Sequence, residues 1–465
     1  MARTALLHTW RTSGFDSGKL AQKLFLWIAV PSALLLCFLI SPFEAADEPA
    51  HYLRMVAIAN GDILPVTSPP GAEQPAAGAY VDVNAANLAR TRFGGSSHYS
   101  WSELDRDNRL HPTDKVKFAA HSNTAIYPPF LYVASASATA LAKAAGLPVL
   151  WWLYLGRLAN VVVASLITQA ALRRSGDAGL FLFGSALVPV TIFQIATVSA
   201  DALLLPLAIA FVVMLLRIQR HEAHSRREAV ALSLTTFLIC VGKVAYLPLA
   251  ILPPLAARLA DKRWSLRALF FVAIALLTLL VWVAWANAVQ DKIFSIRPNV
   301  EIDPKAQLLG LLAHPAAGVV LFVRSMAQLT PRLVIGAVGR WLGWGDLIMP
   351  AWLIYPIPFL LAAAAVPAES PSIRRTTLTI ATLAAVIMCY CAIFLLIYLQ
   401  YNEVGAPNVV GVNGRYFTPL AIIILSMTPR LRISKPHSRQ IWLCATAVAL
   451  VSAFTTLISS QQHYW

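Results

Sequence analysis

Leu24–Ile40 reads LFLWIAVPSALLLCFLI and runs, without a single charge, into Ser41–Arg54, SPFEAADEPAHYLR. The first stretch is apolar throughout and crosses a bilayer if it borrows a few interfacial residues. The second brings three acids, Glu44, Asp47 and Glu48, to the exit of that crossing. Pro49 suits the first turn of a new helix. Tyr52–Ala59 continues that helix, and Asn60-Gly61 ends it. Asp47 and Glu48 then sit at a helix N-terminus, where the dipole favours carboxylates. Asp47, His51 and Arg54 are spaced i, i+4, i+7 and share one helix face.

The rest of the chain repeats the apolar pattern. Of 465 residues, 58% are hydrophobic and only 13% charged, against about 25% charged in soluble domains. Too few charges are left to cover an ordinary soluble enzyme, so the composition indicates an all-α polytopic membrane protein. About eleven transmembrane helices (10–13) are expected, at 24–40, 149–172, 178–198, 202–218, 229–241, 244–257, 268–289, 350–366, 376–399, 415–428 and 441–459. The pair 229–241 and 244–257, split by Gly242-Lys243, is too short to cross twice and reads as re-entrant.

The net charge of +15 is a topology signal. With the N-terminus in the cytoplasm, the inside segments are 1–23, 173–177, 217–228, 258–267, 367–375 and 429–440. They hold 20 Lys/Arg against 6 Asp/Glu; everything else holds 17 against 16. That is the positive-inside pattern, not the aromatic-studded basic surface of a nucleic-acid binder. Two long polar loops, 41–148 and 290–349, fall outside. The Pro, Gly, Ser and Asn of 68–100 predict mostly loop there. Segments 127–145, broken by Pro128-Pro129, and 316–340, interrupted by Arg324, Arg332 and Arg340, are expected to lie on the outer membrane face. Loops this long are usually functional, so the working surface is extracytoplasmic. All five cysteines fall in apolar spans, and no disulfide or metal framework is expected. No phosphate-binding Gly-rich loop, dinucleotide fingerprint or zinc-protease motif is present.

Polar residues recur at the outer ends of other spans. They are Tyr127, Arg157 with Asn160, Gln194 with Asp201, Lys243, Arg340 with Asp346, and Arg415 with Tyr416. An ionised carboxylate there can serve as general base or hold a divalent cation, magnesium or manganese. Arginine suits bidentate phosphate binding. One acidic cluster facing Lys243, Arg340 and Arg415 suits a lipid-anchored phosphate beside a carboxylate, with the lipid tail between helices. His51, Arg54, Tyr127, Arg157, Asp201, Asp346 and Tyr416 complete the expected substrate-binding set.

In order, the segments DEPAHYLR (47–54), IYPPFLY (126–132), LGRLAN (155–160), PVTIFQIATVSADA (189–202), GKVAYLP (242–248), GRWLGWGD (339–346) and VNGRYFTPL (412–420) resemble a bacterial membrane-protein family known as domain of unknown function 2142. That family is similar to the GT-C glycosyltransferases, such as lipid A aminoarabinose transferases and protein O-mannosyltransferases. The resemblance implies a GT-C-like transmembrane domain over 24–428, after a cytoplasmic N-terminus at 1–23 and before a cytoplasmic loop and last helix at 429–465. It implies a polyprenyl-phosphate-linked sugar donor, a glycan or lipid acceptor, and a site outside the bacterial inner membrane. Asp47 would be the base or metal-anchoring residue, with Glu48 as alternate; Arg415 would hold the departing phosphate. A lipid-linked glycan transporter and a non-catalytic envelope-assembly protein are the other readings.

Overall fold

The computed structural model describes residues 16–71, 75–91, 98–220, 225–260, 262–289, 300, 302–364, 373–427 and 438–465. The basic lead before Asp16 and most of the basic stretches at 367–375 and 429–440 lie outside the described residues. The chain is mostly helical. Among the described residues, seven helices are long and apolar enough to cross a membrane: Ser17–Leu39, Val149–Leu172, Asp201–Gln219, Ser265–Val289, Pro315–Val338, Thr376–Tyr401 and Gln440–Tyr464. An eighth span is available if Gly176–Ala186 and Pro189–Ile195, which meet at 75°, are taken together. The chain is thus an α-helical polytopic membrane protein.

The difference from eleven has local causes. Pro189 lacks a backbone N–H and starts a new helix instead of continuing the old one, so 178–198 is broken. Residues 244–257 form a 3₁₀ stretch, Val244–Ile251, and a short helix, Leu252–Ala260, after a break at Lys243, whose backbone is extended. Segments 350–366 and 415–428 also hold only short apolar helices. Segment 316–340 departs in the other direction. Its arginines do not disqualify it as a span, because Arg324 donates to the Pro407 carbonyl and Arg332 lies over the Trp341 ring, 4.9 Å from its centroid. Its C-terminal end passes, through Gly339 at φ 105°, into a hairpin pairing Trp341–Leu342 with Leu347–Ile348.

Asp201–Gln219 is the most enclosed span, while Pro315–Val338 shows most of its side chains at the bundle surface. That surface is rich in Leu, Val, Ile and Phe, as a hydrocarbon environment requires. The five cysteines are free thiols.

Residues 41–148 are more ordered than their composition suggests. A three-stranded antiparallel sheet, Val66–Thr67, Ala77–Asp82 and Val116–Ala120, pairs Gly78 with Ala120 and Asp82 with Val116. Gly78 is required there, since a Cβ would lie 2.3 Å from the Ala119 carbonyl oxygen. The helix Val83–Thr91 follows the sheet's second strand, so part of the expected loop is folded. Trp101–Asn108 begins with a capping box of Ser100 and Glu103. Val133–Ala144, in the segment expected to lie on the membrane face, is only 12 residues long and packs on Glu48–Ala59 and Val149–Leu172. This layer covers one end of the bundle, called the loop end below.

Candidate functional site

Glu48–Ala59 starts as the motif requires but not by side-chain capping. Asp47 adopts a left-handed backbone, φ 64°, and makes no cap hydrogen bond. Such a conformation is uncommon outside glycine. It turns two consecutive carboxylates in different directions.

Glu48 points into the bundle and is fully buried, as is Arg157. The Arg157 guanidinium donates to Glu48, with Nε 2.9 Å from Oε1. It also donates to the carbonyls of Cys37, Ile40 and Ser41. Glu48 Oε1 accepts a further bond, 2.9 Å, from the Val198 N–H. The pair therefore satisfies the orphan carbonyls ending the first span and ties them to the 196–200 turn.

Asp47 points the other way, into a cavity of about 360 Å³ at the loop end. Asn123 Nδ2 donates to its Oδ1 at 3.2 Å, and Arg415 Nη2 donates to its Oδ2 at 2.7 Å. Arg415 Nε also lies 3.5 Å from Asp201 Oδ2, and Lys243 Nζ donates to Asp201 Oδ1 at 2.7 Å. The result is a row, Asp47–Arg415–Asp201–Lys243, drawn from four separate elements. Tyr416 packs under both cations, its ring centroid 4.0 Å from Lys243 Nζ and 5.4 Å from the Arg415 guanidinium carbon. Such contacts add cation–π attraction where water is excluded.

Arg415 is placed by its local sequence. Asn413 accepts from the Arg415 N–H at 3.1 Å, starting the 3₁₀ turn Gly414–Phe417. Gly414 lies against the Gly336 backbone, where a Cβ would come within 2.4 Å of the Gly336 carbonyl carbon. Thr418 Oγ1 donates to the Ala337 carbonyl at 2.7 Å. Two glycines thus let the turn press onto the helix Pro315–Val338.

His51, one turn beyond Asp47, also lines the cavity, with Tyr127 stacked near it. Burial pushes the imidazole pKa down to about 4, against the pull of Asp47, so the ring is neutral at pH 7. Asn123, Asn413, Trp282, Trp344 and Tyr401 add polar and aromatic wall. None of these five belongs to the site set expected from the sequence. Asn413 and Trp344 stand inside quoted motifs, whereas Asn123 and Trp282 carry no local signal.

Of the expected site residues, Asp47, His51, Tyr127, Asp201, Lys243, Arg415 and Tyr416 come together on this cavity. Glu48, Arg54, Arg157, Arg340 and Asp346 do not line it. Glu48 and Arg157 are consumed by each other. Arg54 is buried behind the cavity, donating to the Ile63 carbonyl at 2.8 Å and lying 5.5 Å from the centroid of Trp285. Arg340 donates to the Met349 carbonyl within its hairpin, and Asp346 Oδ2 accepts from His463 Nε2 at 2.8 Å. Arg340 is therefore not one of the cations facing the acids.

The donor set does not fit a divalent metal. Both oxygens of Asp47 are engaged by hydrogen-bond donors. Among the described residues no group of three or more His, Cys, Asp or Glu could hold an ion.

Bundle and cavity define a class: a polytopic α-helical membrane protein with an ion-lined cavity at one end. The family of predicted membrane proteins designated DUF2142 matches residues 32–424, and the chain belongs to it. No curated protein and no solved structure matches the chain.

Proposed function

We propose that the protein is a glycosyltransferase of the bacterial cytoplasmic membrane. It moves a sugar from a polyprenyl-phosphate donor to a hydroxyl of a glycan or lipid acceptor, and the loop end faces outside. The observation that carries this reading is the row Asp47–Arg415–Asp201–Lys243 on one wall of a cavity that opens among membrane helices. It sets a hydrogen-bonded but partly exposed carboxylate in one row with two cations. The fold follows the GT-C plan in this reading, with membrane lipids around the bundle.

The acceptor oxygen bonds to the anomeric carbon as its proton passes to the Asp47 carboxylate. The bond from that carbon to the phosphate oxygen breaks, and the electron pair leaves with the lipid phosphate. Direct displacement inverts the anomeric centre. Arg415 and Lys243 have N–H groups beyond those used on Asp47 and Asp201 and offer them to the departing phosphate, a preorganised electrostatic contribution. Tyr127, Trp282 and Trp344 supply flat apolar walls for a sugar face.

A transporter is the rival reading, favoured by the broken helix pair at 176–195, since discontinuous helices line many transport sites. Mass spectrometry of surface glycans and lipid-linked sugars in a deletion strain separates the two. Accumulated donor, with an acceptor lacking one sugar that wild type restores and Asp47→Asn does not, supports transfer. Unchanged pools, or full restoration by Asp47→Asn, sink it. Translocation of lipid-linked glycan in vesicles without bond transfer favours the transporter.

A further inference from the structure

Among the described residues His51 is the one imidazole on the cavity wall, and its ring is fixed from two directions. Nδ1 lies 2.7 Å from the Tyr132 hydroxyl, and the ring stacks on Tyr127 at 6.4 Å between centroids and 16° between planes. Tyr132 is 1% exposed, and among the described residues this is the one hydrogen bond its hydroxyl makes. A buried O–H with no acceptor is costly, so the hydroxyl donates and Nδ1 accepts. A neutral imidazole that accepts at Nδ1 carries its proton on Nε2. Among the described residues Nε2 has no protein partner, yet it is not among the buried polar atoms left unbonded. The ring lines open volume, so the Nε2–H faces that volume.

The ring's neutrality follows from burial. An anion entering the cavity finds stronger partners in Arg415 and Lys243. A neutral N–H beside aromatic walls suits a neutral oxygen.

We propose that His51 presents its Nε2–H to a hydroxyl oxygen of the transferred sugar, and that Tyr132 is a positioning residue that holds the imidazole in this tautomer. The identity of the ligand rests on the glycosyltransfer reading; the tautomer does not. A site built to hydrogen-bond a hydroxyl rejects analogues that lack it, so His51 selects for that hydroxyl.

Two experiments test the two halves. The first is ¹⁵N NMR of the full chain, labelled on histidine rings, in lipid bilayers at pH 7. His51→Gln identifies the His51 signals by their loss, and Tyr132→Phe identifies them independently by their shift. A bare Nδ1 with a protonated Nε2, becoming a tautomer mixture in Tyr132→Phe, supports the assignment. A proton on Nδ1, or an imidazolium, overturns it, whatever the activity. The second is the glycan profile of variant strains. His51→Gln keeps a side-chain N–H near the Nε2 position and is expected to hold product within about threefold of wild type; His51→Leu is expected to lose about tenfold or more. Equal product from His51→Leu and wild type overturns the ligand assignment. If deleting the whole protein changes no glycan pool, the glycosyltransfer reading fails together with the sugar ligand, and the NMR result still decides the tautomer.

Discussion

Asp47 and Glu48 are neighbours in the chain with opposite surroundings. Glu48 is sealed against Arg157 and the Val198 N–H, and Arg157 spends its remaining donors on the carbonyls that end the first span. Asp47 meets Arg415 at the edge of a cavity, with 35% of its side chain exposed. One carboxylate holds the frame and the other faces whatever enters. A buried ion pair is weak evidence for catalysis, because its members are fully occupied. A half-open pair keeps capacity in reserve.

The sharpest break of this comparison is Asp47→Asn. Under the proposed chemistry it lowers product by about 10²–10⁴-fold. The folded fraction changes little, because a partly exposed pair contributes about 1 kcal/mol or less. Normal product from well-folded Asp47→Asn would return Asp47 to the structural side. Glu48→Ala has the reverse signature. It strands a buried guanidinium and costs about 3–5 kcal/mol of stability, read as a lower melting midpoint and lower yield in detergent. A Glu48→Ala protein as stable as wild type would refute the sealed frame.

How much of this contrast was legible in the sequence? The cluster 47–54 and the turn 412–420 stand out as charges beside apolar spans, and seven expected site residues do meet. The division of labour between residues 47 and 48 does not stand out. It depends on one left-handed backbone at Asp47 and on an arginine 109 positions from Glu48. The sheet within 66–120 was hidden because Gly78 and the surrounding small residues read as loop. The break at Pro189 was hidden because hydropathy measures polarity and is blind to direction.

Gly414→Ala sharpens the Arg415 side of the comparison. Its Cβ would meet backbone atoms of Gly336 and Ala337, which cannot rotate away. Overpacking of this kind costs about 1–3 kcal/mol, and it moves the turn bearing Arg415 while leaving the Glu48–Arg157 pair in place. Product should therefore fall more steeply than the melting midpoint. Equal losses in both would show that the close approach serves only packing.

The smallest effect is acid sensitivity. Burial holds His51 at about 4 and His121 at about 3, both below the ordinary 6.5. Below pH 6.5 the unfolded chain takes up protons that the folded chain refuses, so stability falls with falling pH, down to about pH 4 for His51 and pH 3 for His121. At pH 5.5 each imidazole costs on the order of 1 kcal/mol. Melting midpoints at pH 7.5, 6.5 and 5.5 measure it, and His121→Phe should roughly halve the slope. Midpoints that stay level would show that neither ring is as enclosed as its packing indicates.

The sequence separation of the two ion pairs sets a timetable. Arg157 follows Glu48 by 109 residues, but Arg415 follows Asp47 by 368. At about 5–20 residues per second of synthesis, the first partner emerges roughly 5–20 seconds after its acid and the second roughly 20–75 seconds after. A nascent or truncated chain can therefore lock its frame long before it can charge its cavity. Under the proposed chemistry, transfer cannot begin before Arg415 has been made.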